Sequence, residues 1–528
     1  MLSVRLAASF KILFLAMKYK FFKINQGDLL AFFAGGLLTF AFAPFSIFPL
    51  AIFSPAFLLW LWLPITPKRA LWRGWLYGLG FFGTGIYWIF ISIHTFGNAP
   101  IFLAALITGA FIALLSFFPA LNGYLLNRYF PDNNGRKMIC AFPAIWVLLE
   151  WVRSWFCTGF PWLLLGDSQI NSPLKGFAPI YGVYGVSLAV LLGSGIIVHA
   201  IRNTQKGKYK SVYSSLFSFI VLWIIGGGLT FITWTHPQGP PLQISLIQGN
   251  IAQTLKWSPE QLQPTLERYL ALTRKHWDSK IIIWPEDAIP LPLPSALDFV
   301  SELDSEAKQH HTALITGIPI KNGDRDNYFN AVIAIGSSTD AYLKHHLVPF
   351  GEYTPSPSIF KPLIGFVNIP MSNLVASRSQ LKPLTIQDIK IATFICYEIA
   401  YPELVVSASQ DNQVGILLTI SNDAWFGHSI ASAQHLAIAQ MRALEIGRPL
   451  LFVSNTGITA IIKPNGMLQS AAPIDKIAVL TDFVQPTQGK TLWQRRPMDP
   501  ILILLLLLLF STIKYQRRLK KKMKTKAR

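Results

Sequence analysis

Charge is what this sequence has least of. Only 14% of its 528 residues are Asp, Glu, Lys or Arg, against 52% hydrophobic, whereas an ordinary soluble protein carries charge on roughly a quarter of its residues. The shortage argues against a wholly water-exposed fold and points to membrane insertion. Cysteine is scarce too. Cys140, Cys157 and Cys396 are too few and too scattered for a disulfide framework or a zinc site of the C-x-x-C kind, so any functional cysteine acts alone. There is no G-x-x-x-x-G-K-[ST], no H-E-x-x-H and no G-x-G-x-x-G opening a helix, which leaves nucleotide, zinc-protease and dinucleotide chemistry without support. No cofactor and no metal are expected. Acidic residues are outnumbered, giving a net charge of +20. A basic stripe on a folded domain would suggest nucleic acid, but the cations sit at the ends and in short loops. The tail Lys514, Arg517, Arg518, Lys520 to Lys522, Lys524, Lys526 and Arg528 directly follows an apolar run. That is the pattern of a cytoplasmic anchor facing anionic lipid, and no nucleic-acid partner is expected.

What the sequence has in abundance is apolar runs. A spanning helix needs about 20 mainly apolar residues, and seven candidates precede residue 236, at 29–43, 46–65, 73–94, 99–127, 138–155, 178–203 and 212–235. An eighth follows at 499–514. Positive charge alternates between their connections, as it does when cytoplasmic loops retain Lys and Arg. Lys11, Lys18, Lys20 and Lys23 precede the first run; Lys68, Arg69 and Arg73 lie between the second and third; Arg128, Arg136 and Lys137 between the fourth and fifth; Arg202, Lys206, Lys208 and Lys210 between the sixth and seventh. The turns around Pro44 and from His94 to Pro100 carry none, and the loop after the fifth run has only Lys175. With a cytoplasmic N-terminus, seven crossings put the region after residue 236 outside, and the eighth returns the basic tail to the cytoplasm. The first 20 residues imitate a signal peptide but lack a small-residue cleavage site, and read as a cytoplasmic lead-in.

From Pro240 the pattern changes to short β-branched runs, at Ile244 to Gln248, Lys280 to Trp284, Ala313 to Gly317, Tyr328 to Gly336, Ile389 to Ile395, Gly415 to Ile420 and Leu450 to Ser454. Helical stretches near 259–279, 295–311 and 429–447 separate some of them, the signature of an α/β layered domain. Three of the strand ends deliver an ionisable residue into a turn: Glu286, Lys344 and Cys396. A thiol is a strong nucleophile once deprotonated, a carboxylate can take its proton, and an ammonium can hold the resulting oxyanion with a backbone N–H such as that of Tyr397. Each has a plainer reading as well. Taken alone, a cysteine such as Cys396 at the end of an apolar strand is more often a small buried hydrophobe, Glu286 also reads as a turn or helix cap, and Lys344 as a surface charge beside His345 and His346.

The words around these residues resemble the nitrilase superfamily and, within it, the apolipoprotein N-acyltransferase family. They are Gln248-Gly-Asn-Ile with Leu255-Lys-Trp257, Trp284-Pro-Glu286, Lys344 with Leu347-Val-Pro-Phe-Gly-Glu352-Tyr-Thr-Pro355, and Ile395-Cys-Tyr-Glu398. Ser421-Asn-Asp-Ala-Trp-Phe-Gly427, Gln434-His435 and Ala439-Gln-Met-Arg-Ala-Leu-Glu445 continue the match, and Thr158-Gly-Phe-Pro-Trp162 and Pro173-Leu-Lys-Gly176 extend it into the apolar half. The segment Ile430 to Ala433 departs from the pattern, where a Gly-Pro pair would be expected. The resemblance implies a multi-pass α-helical membrane domain joined to an α/β nitrilase-like domain, an α-β-β-α sandwich. Residues 1–28 would be a cytoplasmic segment, 29–236 the membrane domain, 237–495 an extracytoplasmic catalytic domain, 497–514 a last span and 515–528 a cytoplasmic tail.

It further implies Cys396 as a nucleophile that becomes a thioester, Glu286 as general base and Lys344 as oxyanion stabiliser. Glu352 would orient Lys344, Tyr397 and Glu398 would support the site, and Trp257, Trp425 and Phe426 would contact substrate. The implied reaction moves an acyl chain from a phospholipid, typically phosphatidylethanolamine, through Cys396 to the α-amino group of a diacylated apolipoprotein in a bacterial inner membrane. The chain is expected to act as a monomer. The apolar stretch Pro355 to Leu374, with Phe360, Ile364, Phe366, Ile369 and Met371, reads as a lipid gate or equally as a packed surface loop. Two other classes compete: a membrane-anchored amidase that passes its thioester to water, and a transporter or scaffold. The transporter reading would need ionisable residues along the spans, and only Glu150, Arg153 and Asp167 qualify.

Overall fold

The structure, a computed structural model, describes residues 24–323, 325, 327–353 and 373–526. Most of the N-terminal lead-in, with its four lysines, and the five apolar residues of the expected gate lie outside the described residues.

Helices fall on all eight expected apolar segments. Five are long and apolar enough to cross a membrane: Ile101–Tyr129, Lys137–Thr158, Pro173–Gln205, Tyr209–Leu229 and Asp499–Lys521. Pro67–Gly85 and Trp88–Phe96 form a pair bent by 54°, where the sequence pattern suggested one unbroken run. The first two, Gln26–Ala41 and Leu50–Trp62, are shorter apolar helices. The last helix does not stop at 514 but continues to Lys526, since Lys and Arg are good helix formers and nothing in the tail breaks the turn. Helices pack here through small residues, as they must where the surroundings are as apolar as their side chains. A Cβ on Gly35 would meet the Tyr77 carbonyl oxygen at 2.0 Å, and one on Gly80 would meet that of Phe32 at 2.0 Å. The same two helices are joined by an ion pair of fully buried Asp28 with Arg73 at 3.1 Å and with Arg69.

The α/β domain starts where its entering and leaving segments pair. Strand β1 (His236–Pro237) follows the seventh apolar segment and pairs antiparallel with β14 (Thr487–Gln488), just before the last. Between them run β2 (Leu242–Gln248), β3 (Ile281–Ile283), β4 (Ala313–Lys321), β5 (Tyr328–Gly336), β6 (Asp340–Leu343), β7 (Leu384–Ile386), β8 (Ile389–Ile395), β9 (Val414–Ser421), β10 (Leu450–Ser454), β11 (Ala460–Ile462), β12 (Leu468–Ala471) and β13 (Ala478–Val484). They form two six-stranded sheets, ordered β13-β2-β3-β4-β5-β6 and β12-β11-β10-β9-β8-β7. In each, the three central strands are parallel: β2, β3 and β4 in one, β8, β9 and β10 in the other.

Side chains alternate across a strand, and this divides the core into layers. Ile244, Leu246, Ile281, Ile283, Ile315 and Val332 of one sheet face Ile391, Ile395, Ile416, Leu418, Ile420 and Val453 of the other. Each such side chain contributes about 1.5–3 kcal/mol by leaving water. Ile247, Ile282 and Leu314 point the other way, against helices Pro259–Thr273 and Leu297–Gln309. On the far face, Phe394, Leu417 and Phe452 meet helices Pro402–Ala408 and Ala431–Ile446, and that cluster runs on without a break into the apolar half, to Leu38, Trp162 and Leu505. This is the expected α-β-β-α sandwich, with one outer helical layer shared with the membrane half.

Candidate active site

The parallel topology brings the expected residues together. Glu286 follows β3 and Cys396 follows β8, both at carboxyl ends of parallel strands, where α/β sheets gather their sites. Lys344 follows β6 on the edge of the first sheet. The Glu286 turn passes so close over β4 that a Cβ on Gly317 would meet the Asp287 nitrogen at 2.5 Å.

Lys344 is buried, 1% exposed. Its Nζ lies 2.7 Å from Glu352 Oε1 and 3.5 Å from Glu286 Oε1. Burial works against its charge, but the two carboxylates outweigh burial and hold the ammonium well above the usual lysine range. Glu352 is fixed in turn by the Val348 backbone N–H, which donates to Oε2 at 2.8 Å. Asn330 Nδ2, on β5, donates to Glu286 at 2.8 Å and to Glu352 at 3.3 Å, so a single amide spans both carboxylates.

Cys396 is half-buried and opens a short helical turn with φ +53°, a conformation that costs an L-residue of this kind about 1–3 kcal/mol and persists only where neighbours impose it. Two neighbours do. The Cys396 carbonyl oxygen is 3.2 Å from His435 Nε2, while His435 Nδ1 is 3.0 Å from Asp423 Oδ1. Glu398, fully buried, accepts from the Ile395 N–H and Tyr342 hydroxyl on Oε2 at 2.8 and 2.9 Å, and from the His345 and His346 N–H groups on Oε1 at 2.7 and 2.9 Å. Burial pushes the Glu398 carboxyl up, against the pull of Lys344 and of these N–H groups. Its four bonds pin the Lys344 segment to the Cys396 turn. Burial, reinforced by Glu286 and opposed by Lys344, pushes the Cys396 thiol far up. The resting thiol is therefore neutral and needs a base to react.

Such a trio can perform acyl transfer through a thioester. Residues 34–196 match the family model described as apolipoprotein N-acyltransferase N-terminal domain, and residues 243–488 match that of carbon-nitrogen hydrolase. The chain is 46% identical over 489 residues to the apolipoprotein N-acyltransferase of Coxiella burnetii, covering 92% of this chain and 100% of that one. It is 40% identical over 486 residues to the protein of that name from Vibrio cholerae, covering 89% and 94% respectively. The chain belongs to the apolipoprotein N-acyltransferase family. Among solved structures it is similar to Nit3 of Saccharomyces cerevisiae, a member of the nitrilase superfamily, at 15% identity and a TM-score of 0.37, covering 49% of this chain and 96% of that one.

The remaining expected residues divide. Tyr397 turns toward the membrane half, its hydroxyl donating to the Gly159 carbonyl at 3.4 Å. Trp425 accepts on its carbonyl from Ser92 at 2.7 Å and faces Phe96, while the Phe426 ring lies 4.7 Å from that of Trp88. Both therefore pack on the bent helix pair. Trp257 is half-buried, with Lys256 Nζ 5.9 Å from its ring centre.

Sequence reasoning missed Lys256 and Asn330. Lys256 is 4% exposed and donates to the Glu286 carbonyl at 2.9 Å, a second buried cation beside Glu286; burial pulls its ammonium down, against Asp287 and Glu286. A signal existed for Asn330, the one polar residue in the interior of the run from Tyr328 to Gly336. Asn330→Leu keeps the volume and deletes the shared amide. It should slow acylation about tenfold, or about 1.4 kcal/mol, in a single-turnover assay.

Proposed function

We propose that this apolipoprotein N-acyltransferase family member transfers a fatty acyl chain from phosphatidylethanolamine to Cys396 and then to the α-amino group of a diacylated apolipoprotein. Glu286 takes the Cys396 proton as sulfur attacks the ester carbonyl. Lys344, with the Tyr397 backbone N–H, holds the oxyanion. The C–O bond breaks, and the lysophospholipid leaves with the proton that Glu286 returns. The acceptor amine then attacks the thioester, Glu286 takes a proton from it, and the C–S bond breaks to leave an amide and the thiol. A thioester keeps the acyl group reactive while one lipid leaves and another enters. The observation that carries the reading is the ion-paired Glu286–Lys344–Glu352 array, of which Glu286 and Lys344 act on the Cys396 thiol.

The same reading puts the protein in the inner membrane as a monomer, with residues 237–495 in the periplasm, 29–236 and 497–514 in the bilayer, and 1–28 and 515–528 in the cytoplasm. Trp257, Trp425 and Phe426 would border the acyl chain. The test is to incubate the purified protein with phosphatidylethanolamine and a diacylated lipopeptide. The peptide should gain one acyl chain as an amide; free fatty acid formed at the same rate with or without peptide would favour an amidase.

A further inference from the structure

One helix, Ala431–Ile446, touches both the nucleophile turn and the membrane half, and adjacent residues make the two contacts. His435 is fully buried and holds the Cys396 carbonyl. Gln434, 3% exposed, faces the other way. Its Oε1 accepts from Trp162 Nε1 at 2.7 Å and from Trp88 Nε1 at 3.3 Å, and its Nε2 donates to the Gly85 carbonyl at 3.2 Å. Gly85 is the last residue before the 54° break in the bent pair, and Trp88 is the first after it. One amide thus spans both sides of the bend and the Trp162 loop.

The contacts continue to the Cys396 turn. The Trp162 ring lies 5.6 Å from that of His435 and is stacked 6.4 Å from that of Tyr397, the residue after the nucleophile. Turning the Trp162 indole would therefore press on both neighbours of Cys396. Among the described residues Gln434 is the only hydrogen-bond acceptor of either indole N–H, so losing it would strand two buried donors, at about 1–3 kcal/mol each.

We infer that Gln434 is a positioning residue for acyl transfer, setting the Cys396 turn from the bent helix pair through Trp162 and His435. The assignment rests on the reading of Cys396 as the acyl carrier. Its effect falls on the rate at which correctly folded protein is acylated, because a turn displaced by a fraction of an ångström still holds its thiol but misaligns it with Glu286 and Lys344.

The test follows the acyl adduct on Cys396 by rapid-quench intact-mass spectrometry, with full-length protein and phosphatidylethanolamine in detergent micelles. Gln434→Met removes all three bonds at similar volume, while Gln434→Glu keeps an acceptor for both indoles. The Met variant should acylate about tenfold more slowly at full amplitude, and the Glu variant should recover to within about threefold of wild type. Trp88→Phe and Trp162→Phe, each deleting one donor, should show smaller slowing of the same kind, which covers a Met variant that fails to fold. A Met variant with the wild-type rate, whatever its amplitude, overturns the assignment, as does a Glu variant as slow as Met or a wild-type rate in both Phe variants. If wild type itself forms no adduct on Cys396, the proposed function fails instead.

Discussion

Lys344→Met should slow turnover about 10²–10³-fold and also make stability depend on pH in a way the wild type does not. Lys344 is the only cation within salt-bridge distance of Glu286 and Glu352 among the described residues, at 3.5 and 2.7 Å. In the proposed reaction, deleting it removes the group that faces the developing oxyanion, at a cost of about 10²–10³ in rate. It also leaves two carboxylates sharing the Asn330 amide in a buried site, where breaking a pair from one side costs about 3–5 kcal/mol. Folded variant should relieve this by taking up a proton that the unfolded chain does not bind. Stability then falls as pH rises, so the variant should melt higher near about pH 5 than near about pH 8. In the wild type, the ammonium is held above the usual lysine range and its contribution is fully present throughout that window. Thermal melts at the two pH values check the sign, and single-turnover acylation checks the rate.

Glu398→Gln should be almost as damaging, although it changes one atom. Each carboxylate oxygen receives two donors, and three of the four are backbone N–H groups that cannot reverse. An amide NH2 on the Oε1 side would face two N–H groups; on the Oε2 side it would face one, and only the Tyr342 hydroxyl could turn to accept. Either orientation strands at least one buried donor, at about 1–3 kcal/mol per group, and loosens the Lys344 segment from the Cys396 turn. Acylation should fall about 10²-fold together with the melting temperature. An unchanged rate in a destabilised variant would mean that Glu398 supports folding without positioning Lys344.

The parts legible in the sequence are those written in strong local patterns. Strands β2, β3, β4, β5, β8, β9 and β10 are legible as apolar runs because they are buried on both faces. Strands β6, β7, β11 and β12, of three or four residues, and the partly exposed β13 carry no such run, and their pairing is fixed by neighbours in the sheet. The 54° bend at Gly85 was invisible because the apolar run passes through it unchanged. Glu286, Lys344 and Cys396 were legible as ionisable residues at strand ends. Asn330 stands out in the sequence only as a polar residue inside an apolar run, and Lys256 and Gln434 only as parts of the family resemblance with no role attached, because a buried amide or ammonium takes its role from partners 22 to 349 residues away in the chain.

The central claim is that Cys396 carries the acyl group between two lipids. Intact-mass spectrometry of the full-length protein after exposure to phosphatidylethanolamine, with Cys396→Ala alongside, tests it most directly. The account predicts one added acyl chain on wild type and none on the variant, with the adduct discharged when a diacylated lipopeptide is added and recovered as an amide on the peptide. An adduct that survives in Cys396→Ala, or lipopeptide acylation by that variant, would contradict it.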